Sequence, residues 1–130
     1  MAKIYTGKRE NDTVIAVEVI IHQSGNKVRK RKLRHIPFHS PTRGDLNWGY
    51  GGSGPADLAL AILVDYFRER APSKGYKALA ECNNWMVKSR AWKLHQDFKW
   101  RFVAKFEDEW ELYDSQIQAW LQEQETHDDT

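Results

Sequence analysis

The chain has a single cysteine, Cys82, in 130 residues. That excludes an internal disulfide framework and fits a reducing compartment, so burial and hydrogen bonding must hold the fold. No stretch approaches the ~18 consecutive apolar residues of a membrane-spanning helix. The opening Met1-Ala2-Lys3-Ile4-Tyr5 lacks the apolar centre of a signal peptide. Together these absences predict a soluble, cytoplasmic protein with no membrane partner. A further absence is of one sign of charge. All 20 Lys and Arg lie within residues 1–106, alongside 9 of the 18 acidic residues, and the other 9 acids follow from Glu107 onward. The formal net charge of +2 therefore hides a basic body and an acidic C-terminal segment. That segment either folds back on the basic surface or presents a surface of its own.

What is present is ordinary for a globular domain: 41% hydrophobic and 29% charged residues. The length is enough for one core without staples, so residues 1–130 are read as a single domain with 123–130 as a frayed acidic tail. Ile4-Tyr5-Thr6-Gly7 is read as a short strand ending in a turn. Thr13 to His22 is a stronger strand, with Ile15, Val17, Val19 and Ile21 on one face. Gln23-Ser24-Gly25-Asn26 is turn chemistry, and Lys27 to Ile36 returns as the second arm of a hairpin. That arm carries Lys27, Arg29, Lys30, Arg31, Lys32 and Arg34, six cations in eight residues. Cations on an edge strand block unwanted pairing. Six also make a ribbon suited to phosphates or to an acidic protein surface.

The segment Trp48-Gly49-Tyr50-Gly51-Gly52-Ser53-Gly54-Pro55 runs directly into the apolar run Leu58 to Val64. It predicts a tight turn seating Trp48 and Tyr50 on the core and launching a buried helix from about Pro55 to Arg68, stopped by Ala71-Pro72-Ser73-Lys74-Gly75. Phosphate binding there lacks the lysine of a P-loop, and Asp57, placed in the first turn, would repel an anion. Ser53 misses the Gly-x-Ser-x-Gly nucleophile turn by one residue and is equally a local helix cap. His22, His35 and His39 match no zinc spacing and read as surface or hairpin residues. No metal, cofactor or catalytic residue is therefore expected, and the chain is read as a non-enzyme.

Further on, a short helix is expected around Tyr76–Cys82 with a break at Asn83-Asn84. A longer helix over Ser89 to Phe106 follows, with Leu94, Phe98, Phe102 and Phe106 as its core stripe. Asp108 to Tyr113 is read as a connection. A last helix begins near Ser115, where Ser115 and Gln118 match a capping box and Ile117, Trp120 and Leu121 mark the buried face. Strands first and helices after predict an α+β fold: a small antiparallel sheet, built from the N-terminal strand and the hairpin, with three to four helices on one side. Among the six tryptophans, Trp92 and Trp100 fall away from the expected stripe, available for a protein partner or for stacking on bases.

The glycine loop and the run after it closely resemble the signature of an uncharacterised family of small proteins from bacteria, phages and other mobile elements. Further matches are Tyr5-x-Gly7, Ser40-Pro41, Gln96-x-Phe98-Lys99, Trp110-x-Leu112 and Ile117-x-x-Trp120-Leu121. The stretch from about Arg70 to Arg90 is longer here than in the family pattern. The resemblance implies one α+β domain in a mobile-element setting and transfers no catalytic residue. Two functions are then expected. One is a protein-binding inhibitor of a host defence system, such as CRISPR. The alternative is a nucleic-acid-binding accessory protein using the strand at 27–34.

Overall fold

The computed structural model describes residues 2–36, 38–39, 46–71 and 79–128. Four strands form one antiparallel sheet: β1 (Ala2–Glu10), β2 (Thr13–His22), β3 (Val28–Lys32) and β4 (Glu109–Tyr113), in the order β3-β2-β1-β4. Among the described residues there are four α-helices: α1 (Ser53–Phe67), α2 (Leu79–Lys88), α3 (Arg90–Arg101) and α4 (Asp114–Asp128). The architecture is α+β, as expected.

The first strand is longer than its sequence suggests, because Gly7 sits within it and does not end it. Gly7 pairs with Trp110 across the sheet, and a Cβ on it would lie 2.2 Å from the Trp110 indole nitrogen. The glycine is there for close approach. The turn instead falls at Asn11-Asp12, both at positive φ (49° and 63°), the requirement of a two-residue hairpin whose twist matches its strands. Pairing then skips Ile15, with Lys8 opposite Ala16 and Arg9 opposite Val14. This bulge moves Val14 toward the core and leaves Ile15 55% exposed, which corrects the expected stripe; Val19 and Ile21 are buried as expected.

α1 is enclosed on every side, as its unbroken apolar run predicts: Leu58 to Val64 are all buried. It begins at Ser53, with Gly52 before it, two residues ahead of the expected start, and Arg68 closes it in the left-handed region (φ 56°), where its end was expected. No side chain caps its start, so Ser53 is not the local cap proposed for it. α2 runs unbroken through Asn83-Asn84; the break comes at Ser89, whose hydroxyl oxygen accepts from the Trp92 amide at 3.0 Å and caps α3. α3 stops at Arg101, and a short 3₁₀ turn over Val103–Lys105 follows. Its buried residues are Ala91, His95, Phe98 and Lys99; of the expected stripe only Phe98 is fully buried, and Leu94, Phe102 and Phe106 lie at its margin. The expected connection at 108–113 is β4 itself. Trp110 and Leu112 point into the core, and Glu109, Glu111 and Tyr113 point out. α4 opens one residue before Ser115, and the side chain that reaches back is that of Gln116, accepting from the Tyr113 amide at 2.9 Å, not that of Gln118. Ile117 and Trp120 are buried as expected, Trp120 edge-on to Phe98. The helix stop expected at 71–75 lies mainly outside the described residues.

Candidate functional site

Two features concentrate chemistry. The first is the basic strand. β3 is an edge strand, and every one of its residues is exposed. Its register places Arg29 opposite Ile21 and Arg31 opposite Val19, hence toward the helices. Lys30 lies opposite Ile20 and Lys32 opposite Glu18, on the uncovered face. Among the described residues, two of the six cations have carboxylate partners: Lys30 with Glu18 at 3.4 Å and Arg31 with Asp65 at 2.5 Å. Asp65 also accepts from the Tyr5 hydroxyl at 2.7 Å and faces Lys3 at 3.4 Å. Burial alone would raise the Asp65 pKa, but hydrogen bonds from Arg31 and Tyr5 and the charge of Lys3 outweigh it and hold it below the usual value. Arg31 is therefore a structural tie between β3 and α1. Lys27, Arg29, Lys32 and Arg34 are exposed, and no ion pair or side-chain hydrogen bond among the described residues engages them. Behind the strand, a groove of about 440 Å³ runs between β3 and the end of α1, with Lys3, Arg31, Arg34 and Arg68 on its walls, and Asp65 and Glu69 beside them.

The acidic segment does not neutralise this edge. β4 lies at the other end of the sheet, on the far side of β1, with Glu109 and Glu111 exposed. Part of the acidic segment instead meets cations elsewhere on the body: Lys8 with Glu109 at 3.8 Å, Arg9 with Asp108 at 3.0 Å and Arg101 with Glu123 at 3.7 Å.

The second feature is a buried histidine cluster that the sequence reading missed. Asp57 lies in the second turn of α1, fully buried, and not at an exposed helix start. One of its oxygens meets His35 Nε2 at 3.0 Å and the other accepts the His39 backbone amide at 2.7 Å. His39 Nε2 lies 2.9 Å from His95 Nε2, and His95 Nδ1 lies 2.6 Å from the Trp92 carbonyl. A carbonyl can only accept, so His95 carries its proton on Nδ1 and His39 donates from Nε2. Trp92 stacks on His39 at 5.6 Å between centroids. Burial pushes the His39 pKa down and that of His95 down to about 4. His35 and His39 are therefore core-tying residues, which corrects their reading as surface groups; His22 is exposed as expected. A buried Asp in helical register with apolar neighbours, and His95 four residues before Lys99, are the signals that marked this polar seam.

The glycine loop joins the two halves. Trp48 is fully buried, and its indole N–H donates to the Glu107 carbonyl at 2.7 Å. Arg9 donates to the Trp48 carbonyl and to Asn47, each at 2.8 Å. Gly49 has φ +85°, and a Cβ on Gly51 would lie 2.2 Å from the Trp100 ring. Gly52 and Gly54 are crowded by Tyr50 and Asn47. Lys99, only 6% exposed, reaches the Gly51 carbonyl at 3.3 Å. Pro55 is buried in the first turn of α1. Tyr50 does not seat on the core: it is 48% exposed, as is Trp100 at 59%. No group of three or more potential metal ligands occurs among the described residues, and none of their helices is long and apolar enough to cross a membrane.

A family model matches the chain over residues 5–81 and 71–123, two ranges that overlap at 71–81. The chain belongs to a family of unknown function, DUF6166. No curated protein and no solved structure matches it. For this DUF6166 protein the loop, the buried Trp48 and the Trp110–Gly7 contact all fall within the matched residues.

Proposed function

We propose that this DUF6166 protein is a non-enzymatic binding protein of phage or mobile-element origin, an inhibitor of a host defence system that acts by binding a protein, with β3 as its working edge. The observation that carries the reading is the state of the cations: Arg29 and Lys32 on β3, and Lys27 and Arg34 just beyond its ends, are exposed and unengaged, and nothing pairs with the outer side of β3 among the described residues. Such an edge offers backbone donors and acceptors together with positive side chains. An extended acidic segment uses both, adding a strand and meeting the charges. The histidine cluster argues against a reactive centre there, because its bonds run to one another and to backbone groups that tie α1, α3 and the 35–39 stretch together.

A second reading, binding to a nucleic-acid backbone, has its own support. Arg29 and Lys32 lie on opposite faces of β3, and the groove behind adds Arg34, Arg68 and Lys3, so the positive region is broader than one strand needs. Fluorescence anisotropy separates the two. A labelled peptide of alternating Glu and Thr, and short single- and double-stranded oligonucleotides, are titrated with the native protein and with the Arg29→Glu, Lys32→Glu variant. Peptide binding lost in the variant is expected. Oligonucleotide binding with a steep salt slope, also lost in the variant and without peptide binding, moves the conclusion to nucleic acid. No binding of either ligand at low salt overturns both readings.

A further inference from the structure

Resting on the reading of β3 as an edge for acidic strands, we propose that one such strand is β4 of a second copy of this chain, so that copies join edge to edge. β3 and β4 are the two outer strands of the sheet, and each is five residues long. Their directions are compatible. β3 and β4 are both antiparallel to their neighbours, so β3 runs with β1, and β4 runs against it. A second copy in the same orientation therefore continues the antiparallel alternation when its β3 meets the first copy's β4.

The faces are compatible too. Lys30, Ile20, Ile4 and Tyr113 form one row across the uncovered face, and Lys32, Glu18, Thr6 and Glu111 form the next. In the joined sheet, Lys30 and Lys32 of one copy come beside Glu109 and Glu111 of the other, on the same face. Opposite charges on neighbouring strands stabilise pairing and like charges oppose it. The same charges forbid the alternatives: β3 against β3 sets cations on cations, and β4 against β4 sets carboxylates on carboxylates. Only the head-to-tail contact remains, and such a contact leaves a free β3 and a free β4 at the ends, so it grows as an open chain unless it closes on itself. The Tyr113 amide is already held by Gln116, which centres the contact on Glu109 to Leu112.

Sedimentation velocity over a concentration series at low salt is the test, with Lys30→Glu plus Lys32→Glu as one variant and Glu109→Lys plus Glu111→Lys as the other. All four side chains are exposed, and circular dichroism checks that each variant folds. The native protein should show mass rising with concentration, each variant alone should stay monomeric, and an equimolar mixture of the two should associate again. A native protein that remains monomeric throughout overturns self-pairing but leaves acidic-peptide binding at β3 standing. Association that persists in both variants overturns it as well. Loss of association without rescue on mixing also counts against the β3–β4 contact.

Discussion

The His39–His95 pair makes acid a specific threat to this fold. Both imidazoles are held neutral, and the groups facing them are Asp57, which also holds His35, and Lys99, with the Trp92 carbonyl on His95. For His95 burial is the largest cause of the lowered pKa; the Trp92 carbonyl and Asp57 oppose it, and His39 and Lys99 reinforce it. The pKa falls from 6.5 to about 4, and the ring is 2% exposed, so solvent screening offers little relief. A group whose folded pKa is depressed binds a proton more readily in the unfolded chain, so its stabilising contribution is full above the unfolded pKa. It is lost as pH falls from about 6.5 toward 4. The whole loss is about 3 kcal/mol, of which about 2 kcal/mol has gone by about pH 5. His39 shifts in the same direction and adds to the effect. Urea unfolding at about pH 7.5 and about pH 5, in the native protein and in His95→Phe, measures it. The variant should be less stable at the higher pH, because it abandons the Trp92 carbonyl and His39. Its further drop on acidification should nevertheless be smaller than the native one by about 2 kcal/mol. An equal drop in both proteins would refute the assignment of neutral, buried imidazoles.

Other perturbations separate the contacts that hold the frame. Gly7→Ala places a methyl group 2.2 Å from a buried indole on a central strand, so it should cost upward of about 3 kcal/mol in thermal or urea unfolding. Gly51→Ala meets Trp100 at the same distance, but that ring is exposed and can swing aside, so the cost should be about 1 kcal/mol; equal costs would mean Trp100 is as fixed as Trp110. Asp65→Asn leaves Arg31, Lys3 and the Tyr5 hydroxyl without their carboxylate and should cost about 2 kcal/mol at neutral pH, against about 1 kcal/mol for Tyr5→Phe. Because the Asp65 pKa is depressed, that difference should persist at neutral pH and shrink as pH falls through the depressed value. Trp48→Phe removes a buried ring's only hydrogen bond, its donation to the Glu107 carbonyl, together with part of its packing, and should cost about 2 kcal/mol by the same measurement.

Much of the fold was legible because its largest signals are local. An unbroken apolar run opened by Pro55 and rich in Ala and Leu marks a buried helix, and α1 is one. A β-branched decapeptide followed by Gly-Asn can hardly avoid being a hairpin arm. The misses share a cause: each depends on a partner distant in sequence. Tyr113 to Glu109 reads as a strand only once β1 is there to pair with it, and Gly7 reads as a strand residue only once Trp110 lies over it. The skipped Ile15 is decided by pairing register, which no single strand carries. The displaced core stripe of α3 has the same origin. His95 and Lys99 are polar by composition and buried only because Asp57, His39 and the Gly51 carbonyl stand where they can satisfy them.

The split of charge along the sequence left two arrangements open; the sheet order keeps β4 away from residues 27–34, while Glu109, Asp108 and Glu123 meet Lys8, Arg9 and Arg101. Had the acidic segment folded onto residues 27–34, the cations would be paired within the chain and the surface would be nearly neutral. Instead β1 and β2 stand between β4 and β3, four strands across an antiparallel sheet at about 4.8 Å each, so the two edges are about 14 Å apart. That exceeds the ~8 Å screening length at physiological ionic strength, so the two patches act separately and neither offsets the other. Among the described residues, the carboxylates that reach β3 are Glu18, from the adjacent strand, and Asp65, from α1. An edge kept positive in this way repels copies of itself and attracts extended acids, and that selectivity follows from strand order more than from the number of lysines.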